Sequence, residues 1–277
     1  MRKTIGILVA LIQFSCAAPS PDDRVTFEIV YQPEREYLQT TERTSEMVMQ
    51  YSGKEKSLKK LKEMGVRNPT IINRKSTSET VIRTGKPDGG KDFAVAVEFV
   101  KTTGSMGKPE IPDGTVVQGQ CQEGKQPEFD RVESPGLGRD AKKEVLQAVQ
   151  NTFSQLSFPE QKLKIGEQFT MEHPRSIPME GSTIEMIVTT HYKLMSVTNG
   201  VARFDILQEY AMNPTLRDNS FEATGSGKGQ LLYDTANTIC LSYSLNTGME
   251  LSKKLDSFSF VLKTKSGFSQ TTSLREN

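Results

Sequence analysis

The sequence predicts a mainly β (α+β) protein, with two antiparallel β-meander units forming a curved sheet or half-barrel and one amphipathic helix, at about 140–156, between them. Three observations carry that expectation. Asn199-Gly200 separates two long β-rich runs, 183–197 and 201–212, and this dipeptide readily takes the positive φ angles of a tight hairpin. Phe93, Val95, Val97 and Phe99 alternate with Ala94, Ala96 and Glu98, the two-residue period of a strand with one buried face. Val145, Leu146, Val149, Phe153 and Leu156 form a helical stripe between Asp140, placed to cap the following amides, and Pro159, which ends the run.

Taken in chain order, 1–18 have the form of an export signal. Arg2 and Lys3 open it, an apolar run follows from Ile5 to Ile12, and Cys16-Ala17-Ala18 supply small residues for cleavage. The run is too short to cross a bilayer, because a spanning helix needs about 20 apolar residues. Cys16 is a candidate lipidation site, with 19–25 as its tether; ordinary cleavage near Ala17 or Ala18, which discards Cys16, is the competing route. Gln13 departs from the aliphatic residue usual three positions before a lipidated cysteine. The expected location is the periplasm or cell envelope, with membrane association through an N-terminal lipid anchor if Cys16 is modified.

The N-terminal β unit is expected over 26–138. It holds β-like runs at 26–31 and 36–51, then a short helix near 54–64 with Leu58, Leu61 and Met64 on one side and Gly65 as its stop. Strands follow at 78–84, 93–99 and 114–121, with a turn at Asp88-Gly89-Gly90. Pro109, Pro112, Pro127 and Pro135, with Gly136 and Gly138, mark the boundary. The second unit, 139–277, is the amphipathic helix plus strands at 183–197, 201–212, 220–233, 238–250 and 257–264. On the helix, Lys142, Lys143, Glu144, Gln147 and Gln150 form the face suited to water. The hairpin and the strand after it recur in both halves, which suggests a diverged duplication.

Lys plus Arg total 35 against 34 Asp plus Glu, so there is no basic footprint for a phosphate backbone, and nucleic acid is not expected as a partner. Five lysines at 54, 56, 59, 60 and 62 suit an anionic lipid surface, but Glu55 and Glu63 dilute them, and a solvated helix face is expected. Cys121 and Cys240 are a candidate disulfide in an oxidising compartment, with two buried thiols as the alternative.

Reaction motifs are missing. The only histidines, His173 and His191, have no zinc-type spacing to each other or to cysteine. Gly104-Ser105-Met106-Gly107 lacks the spacing of a nucleophile elbow. Gly225-Ser226-Gly227-Lys228-Gly229 fails the phosphate-loop pattern, with Glu222 in place of the first glycine and Gly229 in place of the final Ser or Thr. Alternate glycines instead bare one face of a strand and let the sheet bend. No catalytic residue, cofactor or metal is expected.

Phe158-Pro159, Lys164-Ile165-Gly166-Glu167-Gln168-Phe169, Asn199-Gly200 and Gly225 to Gly229 resemble an uncharacterised family of exported bacterial proteins, many of them lipoproteins, known as a domain of unknown function. The resemblance covers about the last 120 residues, with Phe169 where members commonly have Trp, and it implies no activity or catalytic residue. The architecture is also similar to the half-barrels of periplasmic lipoprotein carriers, which implies acyl chains held between sheet and helix. The expected function is a non-catalytic envelope protein whose curved sheet binds a hydrophobic ligand or an envelope protein. Two alternatives stand beside it: an exported hydrolase using His191 or His173 in a non-standard site, and a structural surface lipoprotein.

Overall fold

The computed structural model describes residues 24–105, 111–122, 124–155, 160–179, 182–212, 221–254 and 257–275. The N-terminal elements are β1 (Val25–Phe27), β2 (Glu36–Gly53), α1 (Glu55–Glu63), β3 (Thr70–Pro87), β4 (Asp92–Thr103), β5 (Thr115–Gln122) and β6 (Glu128–Glu133). Helix α2 (Arg139–Gln155) follows. The C-terminal elements are β7 (Gln161–Leu163), β8 (Gln168–Met179), β9 (Ser182–Thr198), β10 (Val201–Met212), β11 (Phe221–Asp234), β12 (Ile239–Lys254) and β13 (Phe258–Leu274).

Eleven strands form one antiparallel sheet in the order β6-β5-β4-β3-β2-β13-β12-β11-β10-β9-β8, which is large, curved and not closed into a barrel. The mainly β class is therefore as the sequence predicts, with helices within a residue or so of both predicted spans. Each strand pairs with its chain neighbour except at the centre, where β13 pairs with β2 from Phe258↔Gly53 to Leu274↔Tyr37. That seam joins the two halves of the chain into one continuous sheet. The two strands outside it, β1 and β7, pair with each other.

Several strands exceed the usual 3–10 residues; β2 and β3 each have 18. At one end of these strands the inner face is covered. Val145, Val149 and Phe153 of α2 bury against Tyr37, Ile82, Val95, Val97, Phe99 and Val117. Beside them β1 and β7 cover Leu194, Phe204, Leu231 and Tyr233, with the Phe27 ring edge-on to Phe204 at 4.9 Å and to Tyr233 at 5.5 Å. A third buried cluster, including Ile184, Met186, Phe221, Leu251 and Leu262, occupies the other end of the strands.

Differences from expectation have physical reasons. Helix α2 begins at Arg139, so Asp140 lies in its first turn, where its charge complements the helix dipole; Leu156 lies outside the described residues. Gln150 meets β6 instead of water: its side-chain oxygen accepts from the Phe129 amide at 3.0 Å and its nitrogen donates to the Pro127 carbonyl at 3.1 Å. A helix thus fastens the edge strand β6, which the proline-rich stretch concealed in sequence. The opposite edge, β8, carries Pro174, a residue that cannot extend a ladder outward.

The glycine stripe sits where β11 crowds β12. A Cβ on Gly229 would strike the Ser244 carbonyl oxygen, one on Gly225 would lie 2.8 Å from the Gly248 carbonyl oxygen, and one on Gly227 would lie 2.8 Å from the Thr247 methyl. Strong coiling of the sheet at this point needs residues without side chains.

Candidate ligand pocket beneath the long helix

The buried phase of β2 runs Tyr37, Gln39, Thr41, and that of β13 ends Phe268, Gln270, Thr272. Pairing sets Gln39 opposite Thr272 and Thr41 opposite Gln270, so four buried polar side chains lie together as a floor on the inner face of the sheet. Phe153 and Val149 of α2 roof it, while Val97 and Phe99 of β4 wall it. A cavity of about 120 Å³ lies over the Gln39 and Thr41 half of this floor, with Thr80, Thr102, Thr103 and Thr152 among its other lining residues. A smaller one of about 20 Å³ continues past Gln39 and Phe153 toward Tyr31, Ile239 and Gln270.

The floor is only partly satisfied. Gln39 Nε2 donates to Thr272 Oγ1 at 3.5 Å, and Thr80 Oγ1 donates to the Gln39 carbonyl at 3.5 Å, both at the outer limit of a hydrogen bond. Gln270 is 2% exposed, and its Oε1 has no hydrogen-bond partner among the described residues. A buried acceptor left unpaired costs about 1–3 kcal/mol.

Arg43 stands at the mouth. Its Nη2 donates to Thr152 Oγ1 at 3.1 Å, and its guanidinium carbon lies 5.4 Å from the Phe268 ring centre. Thr152 in turn donates to the Ala148 carbonyl at 2.9 Å. Helix α2 has no basic residue in its own last turn, so Arg43 from β2 provides the cation that suits its C-terminal end.

The phenol and thiol groups behind the pocket are held neutral. Burial pushes the Tyr31 phenol far above its ordinary range, with the neighbouring Tyr37, Cys240 and Cys121 adding to the effect. Tyr31 packs on Phe153 with ring centres 5.4 Å apart. Cys121 and Cys240 are buried free thiols. Burial pushes the Cys121 thiol up to about 11 and the Cys240 thiol up to about 12, which suppresses the nucleophilic thiolate at neutral pH.

The remaining sequence candidates lie elsewhere. Cys16 is outside the described residues. His173 is exposed on the edge strand β8. His191 lies across from Leu207 on the other face of the sheet, its Nδ1 2.8 Å from the Thr170 hydroxyl, beside an open groove of about 530 Å³. In that groove Asp205 accepts from Gln230 Nε2 at 3.4 Å. No group of three or more His, Cys, Asp or Glu suited to a metal occurs among the described residues.

Sequence reasoning did not single out Gln39, Arg43 or Gln270. The signal that could have found them is polarity on the buried phase of a strand, and for Gln270 it required β13 to continue past Thr264.

With the fold and pocket described, the molecule is an open, coiled antiparallel sheet with a partly polar internal pocket. No family model matches the chain, and no curated protein matches it. Among solved structures, Pseudomonas aeruginosa OpdL aligns over 87% of this chain and 99% of its own at 7% identity, with a TM-score of 0.22, too low to define a shared fold.

Proposed function

We propose that this is a non-catalytic binding protein of the cell envelope, exported by residues 1–18 and tethered through Cys16, that holds a small amphipathic molecule beneath α2. The observation that carries the ligand is Gln270 Oε1, an unpaired acceptor lining the roughly 20 Å³ cavity that adjoins the larger one of about 120 Å³ past Gln39 and Phe153. A bound hydroxyl or amide N–H pairs with that oxygen, which turns a local cost into specificity.

Size narrows the class. The 120 Å³ cavity is slightly smaller than the roughly 150 Å³ cavity that accommodates benzene, so it suits one ring or a short aliphatic segment. A long acyl chain of the kind handled by lipoprotein carriers needs more room. Arg43 at the mouth offers a cation to an anionic substituent that stays near water.

Phenol and toluene are the test pair, because they share a ring and differ in the donor. NMR titration is expected to show phenol binding at residues around Gln270 more tightly than toluene. Gln270→Leu should abolish the difference and raise stability by about 1 kcal/mol in urea unfolding, since it removes an unpaired buried polar group. Absence of binding by both probes, or a loss of stability in Gln270→Leu, would count against the proposal. The tether is tested separately by the mass of the mature N-terminus, where an unmodified residue at Ala18 or later removes it.

A further inference from the structure

Helix α1 lies at the end of the sheet remote from the pocket, and none of its residues is buried. Leu58 and Leu61 are half-buried, and Met64, just past the helix, is 70% exposed. Ile71 and Ile72, at the start of β3, are 59% and 38% exposed. Scattered apolar residues on a surface need no explanation, but three of the seven exposed large hydrophobics among the described residues fall within 64–72. Asn68 holds this segment against β2: its side chain donates to the Tyr51 carbonyl at 2.8 Å and accepts from the Tyr51 amide at 2.9 Å.

The charges around that patch are mostly positive. Lys54, Lys56, Lys59, Lys60, Lys62 and Arg67 are exposed, and among the described residues none of them forms an ion pair. Only Glu55 and Glu63 oppose them on the helix. At 3.6 residues per turn Leu58, Leu61 and Met64 share one side, Lys60 and Lys62 stand at its two borders, and Lys56 and Lys59 point away. Border lysines can lay their stems along apolar surface while their ammonium groups reach outward, the arrangement of a helix lying in a membrane interface.

We propose that α1 and the start of β3 form a docking surface for an anionic lipid bilayer, with Met64 and Ile71 entering the headgroup region and the lysines meeting lipid phosphates. The proposal stands independently of the ligand pocket and of Cys16. The connector from β1 to β2 lies at the other end of the strands, where Val30 N–H donates to the Thr238 carbonyl. Across the 18 residues of β2 that separation is about 55 Å at 3.2–3.4 Å per residue.

The chain contains no Trp, so Met64→Trp places a single indole reporter at the proposed contact. The full chain carrying it is mixed with vesicles of equimolar phosphatidylcholine and phosphatidylglycerol, or of phosphatidylcholine alone, each with or without brominated acyl chains. Blue-shifted emission and bromine quenching are expected with the anionic vesicles only. Leu207→Trp, on a different part of the sheet, should stay unquenched in both. Replacing Lys56, Lys59, Lys60 and Lys62 together by Glu in the Met64→Trp chain should weaken partitioning by at least about tenfold, because each cation near such a surface contributes on the order of 1 kcal/mol. Circular dichroism checks that the charge-reversed chain keeps its sheet. The proposal is overturned if the Met64→Trp reporter ignores anionic vesicles, responds equally to neutral ones, matches the Leu207→Trp control, or keeps its partitioning after charge reversal. Failure with vesicles alongside binding to an acidic protein would reassign the surface to such a partner.

Discussion

Glu36 shows how single residues close the sheet seam. Its carboxylate accepts from Arg275 Nη1 at 2.7 Å and from Arg83 Nε at 2.9 Å, tying the end of β13 and the middle of the N-terminal unit to the start of β2. Hydrogen bonds from Arg275 and then Arg83 hold this carboxyl below the ordinary glutamate range. A depressed folded pKa adds stability that is fully present above the unfolded value, about 4.3, and is lost as pH falls through the lower folded value. Glu36→Gln is therefore expected to cost about 0.5–1 kcal/mol at pH 7, a surface-type value because both arginines are half exposed, and almost nothing near pH 2. Urea unfolding at the two pH values checks it; an equal loss at both would mean that the charge is not what matters. None of this was legible in the sequence, where Glu36, Arg83 and Arg275 are separate surface charges. The ladder β3-β2-β13 brings them together.

At the scale of elements, the sequence was informative wherever local chemistry is strong. The Asn199-Gly200 turn, the strand 201–212 and the stripe of α2 appear as the residues require, with Asn199 at φ 50° and Gly200 at φ 76°. The strands missed were the proline-bearing edge β8, the short β6 and β7, and polar stretches of longer strands. The first half of β3, Thr70–Thr77, and the second half of β13 are rich in Ser, Thr and Lys, and neighbouring strands, not propensity, hold them extended. The glycines of β11 make a sharper test, because crowding there comes from backbone. Gly229→Ala should cost about 2–4 kcal/mol, since the Ser244 carbonyl can yield only if β12 moves. Gly248→Ala, whose Cβ would sit 3.9 Å from the Thr264 carbonyl oxygen, should change stability by less than about 0.5 kcal/mol. Equal tolerance at the two positions would refute coiling as the reason for the stripe.

For the whole molecule, the seam between β2 and β13 decides whether the halves are separable. Two meanders laid side by side could fold alone if each kept its own core, and here the cores are exchanged. Phe27 and Ile29, from the N-terminal half, are buried among Phe204, Leu231 and Tyr233 of the C-terminal half. Ile239, from the C-terminal half, is buried with Tyr37, Val97 and Phe153. The Tyr233 hydroxyl also donates to the Glu28 carbonyl. Separating the halves would strip β2 of its β13 partner and leave an 18-residue edge with unpaired amides, the kind of edge that aggregates. The intact chain should therefore unfold in urea in one transition, with circular dichroism and tyrosine fluorescence coincident. A fragment of 26–138 produced alone should lack a cooperative transition and should regain one when mixed with 139–277. Two separate transitions in the intact chain, or an independently folded 26–138, would show that the exchanged residues are ornaments on two autonomous cores. The seam would then be an interface between domains, and the pocket floor formed by Gln39, Thr41, Gln270 and Thr272 would open whenever that interface did.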